Sequence, residues 1–180
     1  MDLFEASDEK FGQKPVRMVA LKPVPRISVA QMELGPWEAG ERFEISRWVA
    51  EELVESGVAQ LESEAEKLSL LDLQKAQIVE TMQASRRLST LPENFYPKLR
   101  RFLKTLKEAG SGNPEKRAEF EQALRLGMDI LTSRLNKILL LASAPEQSEA
   151  AVRNLTWEER FLYERLYRTV EEWKASALKV

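Results

Sequence analysis

The chain contains no cysteine and no histidine. Without cysteine there is no disulfide, no thiolate metal site and no cysteine nucleophile. Without histidine the commonest general base near neutral pH and the commonest metal ligand are missing. A Ser-His-Asp triad, a histidine-ligated zinc and a histidine phosphotransfer are therefore excluded. Long hydrophobic runs are missing as well. The longest uninterrupted one, ILLLA at 138–142, falls far short of the roughly 18 residues a membrane span requires. The first twelve residues, MDLFEASDEKFG, are acidic and lack the basic-then-apolar layout of a secretory signal, so the chain is expected to stay in the compartment where it is made.

What remains is globular in composition: 180 residues, 43% apolar and 31% charged. The net charge of −2 predicts no nucleic-acid partner by itself, but the charges are unevenly spread. Residues 33–72 carry eleven acids and three bases, and residues 73–107 carry eight bases and two acids. An acidic stretch followed by a basic one suggests two surfaces with different partners.

Four of the eight prolines, with Gly35 and Gly40, fall between residues 14 and 45. Short β-prone runs lie between them: VRMVAL at 16–21, ISVAQM at 27–32 and the alternating RFEI at 42–45. Ser46 is placed to cap a short helix, RWVAEELVE, with Gly57 as its stop, and 58–61 returns as a strand. Residues 14–62 thus read as a small β-rich unit behind a 13-residue N-terminal extension. The fold class is mainly α with this small β-rich domain in front, an α+β chain whose residues 63–180 form a helical bundle.

In the helical part, 70–88 carries an imperfect apolar stripe, ended by the sequence before Pro92. Leu99, Phe102, Leu103 and Leu106 mark a second helix. Asn113-Pro114 opens a third and long one, reaching about 143. On it Phe120, Leu124, Met128, Leu131, Leu135, Ile138, Leu139 and Ala142 form one stripe, with Leu126, Ile130, Leu140 and Leu141 outside it. So much apolar surface on one helix predicts burial on several sides, part of it against another chain. Thr156 and Glu159 frame a capping box. The last helix is expected to turn Trp157, Phe161, Leu162, Leu166, Val170 and Trp173 inward, with Tyr163 and Tyr167 beside them.

Chemistry-bearing clusters are few. Gly110-Ser111-Gly112 is half of a dinucleotide fingerprint, set between helices, and reads as a turn. The acid groups at 51–55 and 62–66 read as solvated surface rather than a divalent-ion or acid–base pair. Arg86, Arg87, Lys98, Arg100, Arg101 and Lys104 form a basic run, which suits contact with DNA or an acidic partner, or else is the polar side of an amphipathic helix.

Three phrases, in order, resemble the GINS family of replication subunits: GPWEAGERFEISRWVAEELVESGVAQL at 35–61, LPENFYPKLRRFL at 91–103 and LTWEERFLYERLYRTVEEW at 155–173. The small β domain precedes the helical one, as in the second-and-third branch of that family, and the short form resembles its archaeal members. Residues 1–13 have no counterpart in the resemblance. It implies a non-catalytic subunit, without cofactor or metal, of a heterotetramer. That assembly scaffolds the replicative MCM helicase with a Cdc45/RecJ-like protein, and with primase or polymerase. It also implies residence in the archaeal cytoplasm at the nucleoid, or in a nucleus. On this reading Phe120, Leu124, Met128, Leu131, Leu135, Ile138, Leu139, Leu166 and Trp173 are the expected subunit interface. The competing readings are a stand-alone nucleic-acid-binding module using 86–107, and an enzyme working with carboxylates and lysine alone.

Overall fold

The computed structural model describes residues 3–29, 32–63, 67–82, 87–144 and 149–178. The chain divides into two compact units, Met1–Lys67 and Leu68–Val180.

The first unit is built on a three-stranded antiparallel sheet of order β4-β1-β5, from β1 (Pro15–Ala20), β4 (Arg42–Ser46) and β5 (Ala59–Leu61). Alternation sets its register. Val16 pairs with Ile45 and Met18 with Phe43, so Val16, Met18 and Ala20 share one buried face. Helix α2 (Arg47–Glu55) covers that face with Val49, Ala50 and Leu53. It stops where Gly57 takes φ +68°, a left-handed conformation that glycine adopts without steric cost. Ser46 sits at the expected cap position but makes no side-chain capping bond. The expected strand at 27–32 is instead divided between β2 (Ile27–Val29) and β3 (Met32–Leu34), which pair as a hairpin. Trp37 stacks on Phe43 with ring centres 3.9 Å apart, tying that hairpin's base to the sheet. The N-terminal extension is an ordered helix, α1 (Leu3–Gly12). It buries Phe11, and the Arg47 guanidinium lies 4.4 Å from the Phe11 ring centre.

The second unit is helical: α3 (Leu70–Met82), α4 (Phe95–Ala109), α5 (Pro114–Ala142), the short α6 (Glu149–Val152) and α7 (Trp157–Ala177). The end signals behave as their chemistry dictates. Ser69 and Asp72 exchange hydrogen bonds at the start of α3, and the Asn113 side chain accepts from the amides of Glu115 and Lys116. Thr156 and Glu159 form the expected capping box. Helix α3 is described to Met82, residues 83–86 of the expected helix lie outside the described residues, and residues 87–92 run without helix to α4, short of the expected end at 88.

Helix α5 is the axis of this unit and packs against α3, α4 and α7. At about 1.5 Å per residue its 29 residues span roughly 44 Å. Its buried side is Ala123, Gly127, Ile130, Arg134, Lys137, Ile138 and Ala142. Gly127 faces Leu99 of α4, whose methyl a Cβ there would meet in ordinary contact at 3.4 Å. Leu73, Phe95, Leu99, Leu106, Ala123 and Ile130 make one core, and Leu88, Ile138, Ala142, Leu155 and Tyr163 a second under α7.

Two sequence expectations need correcting here. Ile130, placed outside the α5 stripe, is fully buried. The inward side of α7 is Glu159, Tyr163, Leu166 and Tyr167, whereas Trp157, Phe161, Leu162 and Trp173 face solvent. The core beneath α7 holds a carboxylate network, and it selects the tyrosine side rather than the more apolar one.

Candidate subunit-interaction surface and the buried polar network

Two seams run along α5, one residue apart. The inner seam, Ala123, Gly127, Ile130, Arg134 and Lys137, advances by alternating steps of four and three and is buried. The outer seam, Leu124, Met128, Leu131, Leu135 and Ile138, takes the same steps one position later. One residue is a 100° turn on a helix, so the outer seam lies about a quarter-turn from the inner one. Leu124, Met128, Leu131, Leu135 and Leu139 are exposed, Met128 to 54%. Phe120 is half-buried at the edge of the first core, and Leu166 is half-buried against the second. Ile138 is 2% exposed, because the core with Leu155 and Tyr163 covers it, so within the proposed interface it serves the chain's own packing. Alternating steps of three and four are the spacing by which one helix packs side chains into the holes of another. A second exposed apolar side, Leu71, Ile78 and Met82, lies on α3.

Beneath α7 sits a polar network whose members, apart from Glu159 as a helix cap, carry no local sequence signal. Arg134 is fully buried, and five hydrogen bonds use all five of its N–H donors. Nε and one Nη bind the two oxygens of Glu159 at 2.5 and 2.7 Å. The other Nη binds Glu80 Oε2 at 2.9 Å and the Ser89 carbonyl at 2.9 Å, and the Asn154 carbonyl accepts at 3.0 Å. Lys137 Nζ donates to Glu80 Oε1 at 2.6 Å and to the Glu80 carbonyl. Tyr96 donates from α4 to Glu159 at 2.6 Å, and Ser89 donates its amide to Glu80. Two cations thus neutralise two carboxylates; the guanidinium ties α3, α5 and α7 together, and α4 joins them through the Tyr96 bond to Glu159.

The electrostatics follow from that geometry. Burial disfavours the charged form of Glu80, but hydrogen bonds from Lys137 and Ser89 and the Arg134 charge outweigh it and hold the pKa below the ordinary carboxylate value. Burial likewise opposes the Arg134 charge, and the Glu159 partnership more than restores it. Burial, reinforced by the neighbouring Glu159 carboxylate, pushes the Tyr96 phenol well above its usual value. These groups are saturated by one another and reach neither solvent nor a cleft, so the arrangement fastens helices together. Among the described residues no three carboxylates converge as a metal site would require. No helix among them is long and apolar enough to cross a membrane.

A groove of about 480 Å³ runs along α7, lined by Val152, Arg160, Tyr163, Glu164, Tyr167 and Arg168. Its charges are of both signs. Of the basic run, Lys98, Arg100 and Arg101 are half-buried on α4, while Lys104 and Arg87 are exposed. Lys104 stands 3.9 Å from Glu108. Arg86 lies outside the described residues. The core side of α4 is taken by Phe95, Leu99 and Leu106, which leaves the basic residues on its outer side.

A search of curated proteins gave no match. The family model of the GINS complex protein helical bundle domain (Sld5) matches residues 60–178, which covers α3 to α7 with the two α5 seams and the Arg134 network. The chain belongs to the GINS family of replication-complex subunits.

Proposed function

We propose that the open seam of α5 is the surface through which this chain joins an unlike GINS subunit, in an assembly holding two copies of each chain. The assembled complex works as a scaffold between the replicative MCM helicase and a Cdc45/RecJ-like protein, with primase or polymerase as a further contact. With its small β domain first, the chain takes the place of the second-and-third branch of the family. The observation that carries this reading is the row of exposed Leu124, Met128, Leu131, Leu135 and Leu139. A contiguous apolar helix side of this extent marks a recognition surface. Nothing in the buried network offers a reactive group to a substrate, which fits a scaffold rather than a catalyst.

The test is co-expression with an unlike GINS subunit from the same genome, followed by light-scattering mass of the purified complex. A complex containing both chains is expected, and Met128→Glu is expected to abolish it while the free chain stays folded. Retention of the complex by Met128→Glu and Leu131→Glu would remove the seam from the interface.

The outer side of α4 supports a second reading, contact with DNA or with an acidic partner through Arg87, Lys98, Arg100, Arg101 and Lys104. Such binding weakens steeply with salt as phosphate counterions are released. Charge reversal at Arg100 and Arg101 would leave affinity unchanged if α4 makes no such contact.

A further inference from the structure

The groove on α7 is cut between two rows of side chains, each repeating at intervals of four. One row is Arg160, Glu164, Arg168 and Glu172. The other is Tyr163, Tyr167 and Glu171, and Val152 of α6 completes the lining. Rows at intervals of four are the ridges of an α-helix, and the furrow between two of them is where a ridge of another helix packs. From Arg160 to Glu172 the row spans about 18 Å at ~1.5 Å per residue.

The two walls differ in kind. Tyr163 is buried and Tyr167 half-buried, with ring centres 6.2 Å apart, and together they give the furrow an apolar floor. The opposite wall is exposed along its whole length and changes sign at every step: plus, minus, plus, minus. Side chains four apart on a helix are within reach of one another. Among the described residues, however, none of these four is in an ion pair. Glu171, across the furrow, is by contrast held by Lys174 at 2.8 Å. The row thus sets four unengaged charges beside an apolar floor. An extended peptide laid there would press its backbone N–H and C=O groups against tyrosine rings, whereas a helix satisfies its own.

We propose that this furrow is a docking site for an amphipathic helix of a partner protein, whose facing ridge carries acidic and basic side chains alternately at intervals of four. Each arginine of the wall meets a carboxylate and each glutamate a cation, while apolar residues beside that ridge cover Tyr163, Tyr167 and Val152. Alternation selects the partner, not net charge. A uniformly acidic or uniformly basic helix meets as many repulsions as attractions along the wall. The site uses no residue of the α5 seam and does not depend on it.

The probes are alanine-based helical peptides carrying a fluorophore, titrated with the full chain and read by anisotropy. One carries Glu, Lys, Glu, Lys and Glu at intervals of four, and so matches the wall in either direction. Two others carry the charges in blocks, as Glu-Glu-Lys-Lys and Lys-Lys-Glu-Glu at the same intervals. The unmodified chain is expected to bind the alternating peptide at least about tenfold more tightly than either block peptide. Exchanging the central charges, Glu164→Arg with Arg168→Glu, turns the wall into two pluses followed by two minuses. Both positions are exposed, so unchanged circular dichroism is expected. That variant should release the alternating peptide and take one block peptide instead, and which one it takes gives the direction in which the helix lies. Met128→Glu should leave every affinity unchanged. Equal binding of the three peptides, no saturable binding of the alternating one, or an unaltered preference in the exchanged variant would each overturn the proposal. So would loss of binding in Met128→Glu, which would move the peptide to the α5 seam. Self-association of the unmodified chain that the exchange abolishes would put a second copy in the furrow, and would overturn it as well.

Discussion

Arg134 and Glu159 face each other through two near-parallel N–H···O bonds, 2.5 and 2.7 Å long, with both side chains buried. A planar fork meeting a planar carboxylate is the strongest ion-pair geometry available to a protein. Removing one member leaves the other charged and buried. Arg134→Met is expected to destabilise the helical unit by roughly 3–5 kcal/mol, read as a shift of the denaturant midpoint. Arg134→Lys is expected to lose most of this too, because lysine has three donors on one atom and cannot reach both carboxylates and two carbonyls. A midpoint unchanged in Arg134→Lys would show that the fork geometry is unimportant.

Acid should act through Glu80. Its folded pKa lies below the ordinary 4.5, so the folded state holds the carboxylate charged where the unfolded chain would protonate it. The associated stability is complete above about pH 4.5 and fades as pH falls through the depressed folded value. Melting temperature is expected to drop below pH 4.5, and Glu80→Gln should flatten that drop while lowering stability at neutral pH. An unaltered acid limb in the variant would move the effect to other carboxylates.

At the alkaline end the sign reverses. The Tyr96 phenol is held above its ordinary value of 10.0, so the unfolded chain releases a proton that the folded chain keeps. Stability is expected to decline above about pH 10, and Tyr96→Phe should remove that part of the decline. With no histidine in the chain, little should titrate between these limits. Thermal melts from pH 3 to 11 of both proteins decide it.

In the first unit the Phe11 side chain is the test of α1. Phe11→Ala removes a buried ring and its contact with Arg47, and should cost about 3 kcal/mol or more. Amide exchange in β1 and α2 is expected to accelerate. If exchange there is unchanged, α1 contributes nothing to the unit it packs on.

Element positions were legible where local chemistry decides them. Asn113 with Pro114, Thr156 with Glu159, and Gly57 mark helix ends through bonds to nearby backbone, and the structure shows them at those places. The mainly helical architecture with a small β-rich front was legible from periodicity for the same reason. The helix faces were harder. On α5 the more apolar seam is the open one, while the seam used internally contains Ala123, Gly127, Arg134 and Lys137. Hydrophobicity alone picks the wrong side, and only the small residues at 123 and 127 mark the buried one. Glu80 was unreadable because its charged partners lie 54 and 57 positions away, and pairing over such distances leaves no local trace. On α7 Glu159 was read as a cap and is one, but its second role, binding Arg134, is invisible without the fold.

The one-residue offset between the two α5 seams leaves that helix with a rotational ambiguity. Rolled by about 100°, it would hide Leu124, Met128, Leu131 and Leu135 from water and present the seam of Ala123, Gly127, Ile130, Arg134 and Lys137 instead. Oil-like burial taken alone favours the rolled state. What opposes it is Arg134, whose ion pairs with the buried Glu80 and Glu159 would be broken by such a turn, leaving buried charges unpaired. The guanidinium therefore acts as a key that orients the helix, and the leucines remain outside because the charges within will not let them in.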